Sequence, residues 1–232
     1  EPPETEPPST TSDVSALVAD MQRDVESRRR QMAAGQVAML RDRLMGEGFR
    51  DITEARKFAT EHGFTETGKA FDELLEQAVV SAAREIVAEG GQVGEIYDSL
   101  VALYGRQPKL GARTSTSVAN QAFSTPVPLA YLASRLARVA DATVVYEPTA
   151  GNGALLIEAV PGRRPSPQIW ANELDPARAT VLKAQGFRVS QQDASEPGLA
   201  QTLQKQNGGA DAVIMNPPFG AVRAGGQSKV YV

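Results

Sequence analysis

Two patterns of apolar and polar residues divide the chain. Up to about residue 104 the large apolar side chains recur at helical spacing. Val14, Leu17, Val18 and Met21 mark a long amphipathic helix capped by Ser12 or Asp13; the pattern resumes at Met32, Val37, Met39, Leu40 and Leu44 and breaks at Gly46 and Gly48. Thr53 opens a short helix that runs to about Glu61 and stops at Gly63. Thr65 or Thr67 opens a third, with Phe71, Leu74, Leu75, Ala78, Val79 and Val80 as its buried stripe and Gly90-Gly91 as its end. A fourth spans about Val93 to Tyr104. The second half alternates short apolar runs with helical stretches, the mark of a parallel sheet. Pro126 and Pro128 lead into a helix that ends near Val139. Strands are expected at Thr143–Tyr146, Gln168–Asn172, Phe187–Ser190 and Ala210–Ile214. Helices follow at Ala154 to about Ala159, from Pro176 to about Ala184, and at about Leu199 to Gln206.

The pattern gives four segments: a disordered tail over 1–12, a helical domain over 13–105, a linker over 106–120 and an α/β domain over 121–232. The tail is rich in Pro, Glu and Thr and lacks large apolar side chains, so it cannot bury enough surface to order itself. Arg28-Arg29-Arg30 reads as a solvated helix face in preference to a phosphate site.

Composition removes whole classes of chemistry. The chain has no cysteine, which excludes disulfides, thiolate nucleophiles and thiolate metal sites. Its one histidine, His62, sits at an expected helix C-terminus, so no His-based metal centre or triad is expected, and no metal. A net charge of −4 advertises no global affinity for nucleic acid, so any such contact must be local or lie on another domain. The acidic, proline-rich start is unlike a secretory signal, and no apolar run is long enough to span a membrane, so a cytoplasmic location is expected. The chain begins at Glu1 without methionine and is expected to be processed or part of a longer protein.

Candidate chemistry falls on four turns, each where a strand ends, so a doubly wound sheet would gather them on one rim. The first is Glu147-Pro148-Thr149-Ala150-Gly151-Asn152-Gly153. Its glycines let backbone approach a ligand and are expected to present free amides at a helix start. A third glycine of the dinucleotide fingerprint would fall at Leu156, and Glu147 would repel a pyrophosphate. An acidic residue there suits a cation, such as a sulfonium bearing an ammonium. Glu173 ends the second strand, placed to accept both hydroxyls of a ribose. Asp193, past the third, can accept from an adenine amino group while the Ala194 amide donates to a ring nitrogen. Together these describe a pocket for S-adenosylmethionine (SAM). The fourth turn is Met215-Asn216-Pro217-Pro218-Phe219-Gly220. The Asn216 side-chain oxygen and the Pro217 carbonyl can accept the two hydrogens of a planar exocyclic amine. The prolines stiffen the turn, and Phe219 offers a stacking face.

In order, Phe123-Ser124-Thr125-Pro126, the Glu147–Gly153 loop, Glu173, Asp193 and Asn216-Pro217-Pro218-Phe219 resemble the adenine-N6-specific DNA methyltransferases in their γ-type arrangement, over roughly residues 115 to 225. The resemblance implies a Rossmann-like SAM-dependent methyltransferase sheet. It implies that Thr125 and Glu147 meet the methionine part of SAM, Gly151 and Gly153 shape the loop, Glu173 holds the ribose and Asp193 the adenine. Asn216, Pro217 and Phe219 would engage a target adenine of DNA, flipped out or single-stranded. The helical half followed by this block also resembles the methylase-like region of strawberry-notch-type helicase proteins of mobile elements, which implies a helicase segment of the same longer protein as a partner. The family's sheet carries more strands than the four placed here, so the sheet is expected to be incomplete at the C-terminus, although Val230-Tyr231-Val232 begin a further element. The same turn would serve an RNA base or a protein glutamine, and a non-catalytic module that docks or positions DNA is the alternative of a different class.

Overall fold

The computed structural model describes residues 10–109, 125–160, 167–196, 198–217, 220–224 and 227–231. Four helices come first: α1 (Thr10–Met45), α2 (Ile52–Glu61), α3 (Gly68–Glu89) and α4 (Val93–Arg106). The rest is α/β: α5 (Val127–Leu136), β1 (Val144–Glu147), a 3₁₀ turn (Ala154–Leu156), β2 (Gln168–Asn172), α6 (Pro176–Ala184), β3 (Arg188–Ser190), α7 (Leu199–Asn207), β4 (Ala212–Val213), β5 (Gly220–Ala224) and β6 (Gln227–Tyr231). No described helix is long and apolar enough to cross a membrane.

Side-chain chemistry sets several helix ends. Asp51 has extended backbone and its carboxylate accepts from the Glu54 amide at 2.9 Å, so α2 starts at Ile52, one residue before the expected Thr53. Its C-terminal His62 lies over the Phe58 ring, with Nδ1 2.8 Å from the Phe58 carbonyl oxygen, a structural role. Asp175 caps α6 by accepting from the Ala177 and Arg178 amides, and Pro176 takes the first helical position, where its missing donor costs nothing.

The first helix departs from expectation at its start. It is helical from Thr10, ahead of Ser12, so residues 10–12 belong to it and not to a disordered tail; residues 1–9 lie outside the described residues. Only its later turns are packed: Leu40 and Leu44 are buried, whereas Leu17 and Met21 are each 61% exposed. At 36 residues α1 extends roughly 54 Å, far beyond the 22-residue α3 beside it, so its early apolar positions have no layer to enter. A second correction concerns the stretch after Gly153, which forms only the 3₁₀ turn instead of a helix to Ala159. Too few residues precede Pro161 to nucleate an α-helix, and a proline disfavours helical backbone at the residue before it.

One hydrophobic cluster runs through both halves, from Leu40, Phe71 and Leu75 through Leu100 and Tyr131 to Val145, Leu156, Ile169 and Ile214. Each fully buried side chain of this kind stabilises the fold by about 1.5–3 kcal/mol. The α/β half is therefore seated on the helical half through shared apolar surface.

The sheet is parallel, in the order β3-β2-β1-β4. This is the order in which a doubly wound nucleotide-binding sheet begins. The chain steps outward from β1 to β2 and β3, then returns to the other side of β1 as β4. The topological switch point thus lies between β1 and β4, and their carboxyl ends carry Glu147 and the Asn216 turn. Strand β4 is only Ala212–Val213 in pairing, but its neighbours extend the ladder: the Asp211 amide donates to the Val144 carbonyl at 2.9 Å and the Ile214 amide to Tyr146 at 3.1 Å. Val230 and Tyr231 belong to β6, which pairs antiparallel with β5 as a separate hairpin.

Candidate active site

Glu147 is the last residue of β1, and only 1% of it is exposed. Its Oε1 accepts from both the amide and the hydroxyl of Thr149, each at 3.3 Å. Its Oε2 is buried without a partner. Burial raises the carboxyl pKa to about 8; the two Thr149 donors pull it down and the nearby Glu173 charge pushes it up. A buried acceptor without a partner and with a perturbed pKa marks Glu147 as a candidate site residue.

The glycine loop follows. Gly151 and Gly153 both have positive φ, 55° and 83°. At Gly151 a side chain would meet nothing within 4 Å, so the loop is open there. At Gly153 a β-carbon would lie 3.1 Å from Leu182 and 3.2 Å from Gln185, so the loop is closed against α6. A Gly153→Ala chain should lose about 1–3 kcal/mol of stability from left-handed backbone and crowding, read as a lower Tm in thermal denaturation. Two of the loop's amides are engaged within the loop and its supports. The Gly151 amide donates to Glu173 Oε2 at 2.7 Å and the Gly153 amide to the Ala150 carbonyl at 2.8 Å.

Glu173 is half-buried and bridges two turns, since its other oxygen accepts from the Asp175 amide at 2.8 Å. A carboxylate has about four acceptor directions, so each oxygen keeps capacity for a ligand hydroxyl. Asp193 turns Oδ1 onto Ser195, accepting from its amide at 2.9 Å and its hydroxyl at 2.7 Å, and Ala194 lies in that turn.

The residue that ties these turns together is one the sequence reading passed over. Asn172 ends β2 with 1% exposure. Its amide nitrogen donates to the Pro148 and Gln192 carbonyls at 3.0 and 2.9 Å. Its oxygen accepts from the Ser190 hydroxyl at 2.8 Å and the Gln192 amide at 3.1 Å. Every hydrogen-bonding capacity of the amide is used, and the turns after β1, β2 and β3 are locked in one arrangement. A lone amide closing an apolar strand was the available signal.

Across the switch point, the Asn216 amide nitrogen donates to the Thr125 hydroxyl at 2.9 Å, although the two are 91 residues apart. Both residues are half-buried, as is Pro217. The bond fixes the amide plane and leaves Oδ1 as the acceptor available to a ligand. Phe219, with Phe123 and Ser124, lies outside the described residues. The rim thus gathers Thr125, Glu147, the glycine loop, Glu173, Asp193 and Asn216 along adjacent strand ends. A cavity of about 320 Å³ lined by Gln168, Gln185, Phe187 and Arg188 lies elsewhere, at the amino ends of β2 and β3.

No family model and no curated protein matches the chain. Among solved structures, a candidate RNA methyltransferase of Pyrococcus horikoshii overlaps 58% of this chain and 64% of its own at 25% identity, with a TM-score of 0.34. TrmN of Thermus thermophilus overlaps 62% of this chain and 58% of its own at 20% identity, with a TM-score of 0.33. The match spans less than two thirds of either protein's length.

Proposed function

We propose that this rim binds SAM and that the chain transfers a methyl group to the exocyclic N6 amine of adenine in DNA. The observation that carries the reading is the Asn216–Thr125 hydrogen bond, which orients an amide just past β4, the strand paired with the one that ends in buried Glu147. The residues fit the cofactor. Glu147 Oε2 is a buried acceptor without a partner, suited to the ammonium of the methionine part, and Gly151 leaves open space for the chain to approach a ligand. Glu173 retains acceptor capacity for ribose hydroxyls, and Asp193 stands at the next turn toward the adenine.

When bound, SAM supplies an electrophilic methyl group and departs as a neutral thioether. The chain's own work is positioning. Asn216 Oδ1 and the Pro217 carbonyl accept the two amine hydrogens of the target base, which draws the nitrogen lone pair out of ring conjugation. Thr125 holds the amide nitrogen, so the oxygen cannot rotate away. The amine proton becomes acidic as the N–C bond forms and leaves to water, so no strong base is required. A duplex adenine would have to be flipped at a cost of a few kcal/mol, partly offset by stacking on Phe219.

Labelled-methyl transfer from SAM, run side by side on single- and double-stranded DNA, RNA and an unrelated protein, separates the possible substrates. Label in DNA is expected. Label in RNA or protein alone would overturn the assignment of substrate.

A further inference from the structure

The helical half of the chain also carries part of the same rim, and this follows from α3. Three of its polar residues, Glu73, Glu76 and Arg84, are spaced three and eight apart and so share one helix face. All three reach the back of the glycine loop or its supports. Glu73 Oε1 accepts from the Asn152 amide nitrogen at 2.8 Å, and Glu76 Oε2 from the same nitrogen at 3.3 Å. Asn152 lies between the two positive-φ glycines and is buried. Glu73 also forms a two-point ion pair with Arg178 of α6, at 2.8 and 2.9 Å, and both side chains are only 17% exposed. Arg84 donates to Gln185 and, at 2.5 Å, to the Ala159 carbonyl, with its guanidinium 4.9 Å from the Phe187 ring centre. Gln185 in turn donates to the Asn152 carbonyl at 3.3 Å.

The consequence is a single clamp on two turns. Glu73 holds the glycine loop through Asn152 and, through Arg178, the helix that begins three residues after Glu173. Burial works against the Arg178 charge, and the hydrogen bond and charge of Glu73, with Glu76 and Glu173, more than reverse that, so the Arg178 pKa is raised and its guanidinium stays charged. The clamp lies behind the loop, while the Gly151 side stays open.

We propose that Glu73, Asn152 and Arg178 are positioning residues for the cofactor, and that the helical half preforms the SAM site by fixing the glycine loop against the Glu173 turn. This rests on the reading of the rim as a SAM site. A preformed loop need not be ordered by the ligand, so the clamp should be visible in affinity.

The test uses the full chain and isothermal titration with SAM, below the unfolding range of each variant. Glu73→Ala and Arg178→Met should each weaken SAM binding by about tenfold or more, and the double variant should be little worse than either single one, because both remove the same contact. Asn152→Ala reads the same link without touching the ion pair, should a charge variant fail to fold. A Glu73→Ala or Asn152→Ala chain that melts earlier yet binds SAM within about threefold of the wild type would show a purely structural contact and overturn the proposal. Failure of the wild type itself to bind SAM would overturn the reading of the rim and the clamp with it, whereas wild-type binding with unaffected variants would overturn the clamp alone.

Discussion

Asn216→Ala is expected to lower methyl transfer by about 10²–10³-fold or more and to leave the Kd for SAM within about threefold of the wild type. The size follows from the role of one preorganised polar group in the transition state. In the resting complex the amine makes ordinary hydrogen bonds, and any water can replace the lost acceptor. As the nitrogen becomes tetrahedral and positive, its hydrogens need acceptors already in place, which on the proposed reading are Asn216 Oδ1 and the Pro217 carbonyl. The split between transfer rate and cofactor affinity follows from the fold. Asn216 sits after β4, whereas Glu147, Gly151 and Glu173 sit on the strands to the other side of the switch point. Thr125→Val keeps the shape and removes the acceptor that holds the Asn216 amide, so it should fall between the wild type and Asn216→Ala. Single-turnover rates with saturating SAM, alongside titration of SAM itself, check both. Near-normal transfer by Asn216→Ala would sink the assignment of the amine site.

The second large effect is pH-dependent. Glu147 has its pKa raised from an ordinary 4.5 to about 8 by burial first, with Glu173 adding to the rise and Thr149 opposing it. The sign follows directly. Between these two values the folded chain holds a proton that the unfolded chain has released, so the stability of the ligand-free protein falls as pH rises from 4.5 to 8. A cationic ligand prefers the ionised carboxylate. SAM affinity should therefore increase as pH rises from 6 toward 8, by up to about tenfold per pH unit, with a proton released on binding. Glu147→Gln should bind SAM weakly, lose most of this slope, and melt higher than the wild type at pH 9 in the absence of ligand. Titrations across the range, repeated in buffers of different protonation enthalpy, would measure the slope and the proton together. An unchanged slope in Glu147→Gln would assign the pH dependence to another group.

The parts of this molecule that could be read along the chain are those written in local sequence. The Gln168–Asn172 strand was placed with its observed bounds because apolar residues end there at a polar turn, and α6 because Asp175-Pro176 is both cap and first turn. The rim followed from strand ends alone, since a parallel sheet brings all of them to one side. Exposure along α1 did not follow: Leu17 and Met21 have helical spacing, but spacing cannot tell whether a neighbour is long enough to cover them. The Gly151 amide looked available because its acceptor, Glu173, lies 22 residues away on another turn. Asn172 gave one visible hint, a single amide at a strand end, and its value depends on three turns meeting around it. Glu73 was the least legible. On the helix it reads as one more surface acid, and its partners are 79 and 105 residues distant.

Nucleoside mass spectrometry of DNA incubated with this chain and SAM, with Asn216→Ala as control, tests the central claim most directly. The account predicts N6-methyladenine, with single-stranded DNA at least as good a substrate as duplex, and a yield about a hundredfold lower or less from the variant. A methylated base other than adenine, or N6-methyladenine at equal yield from Asn216→Ala, would contradict it.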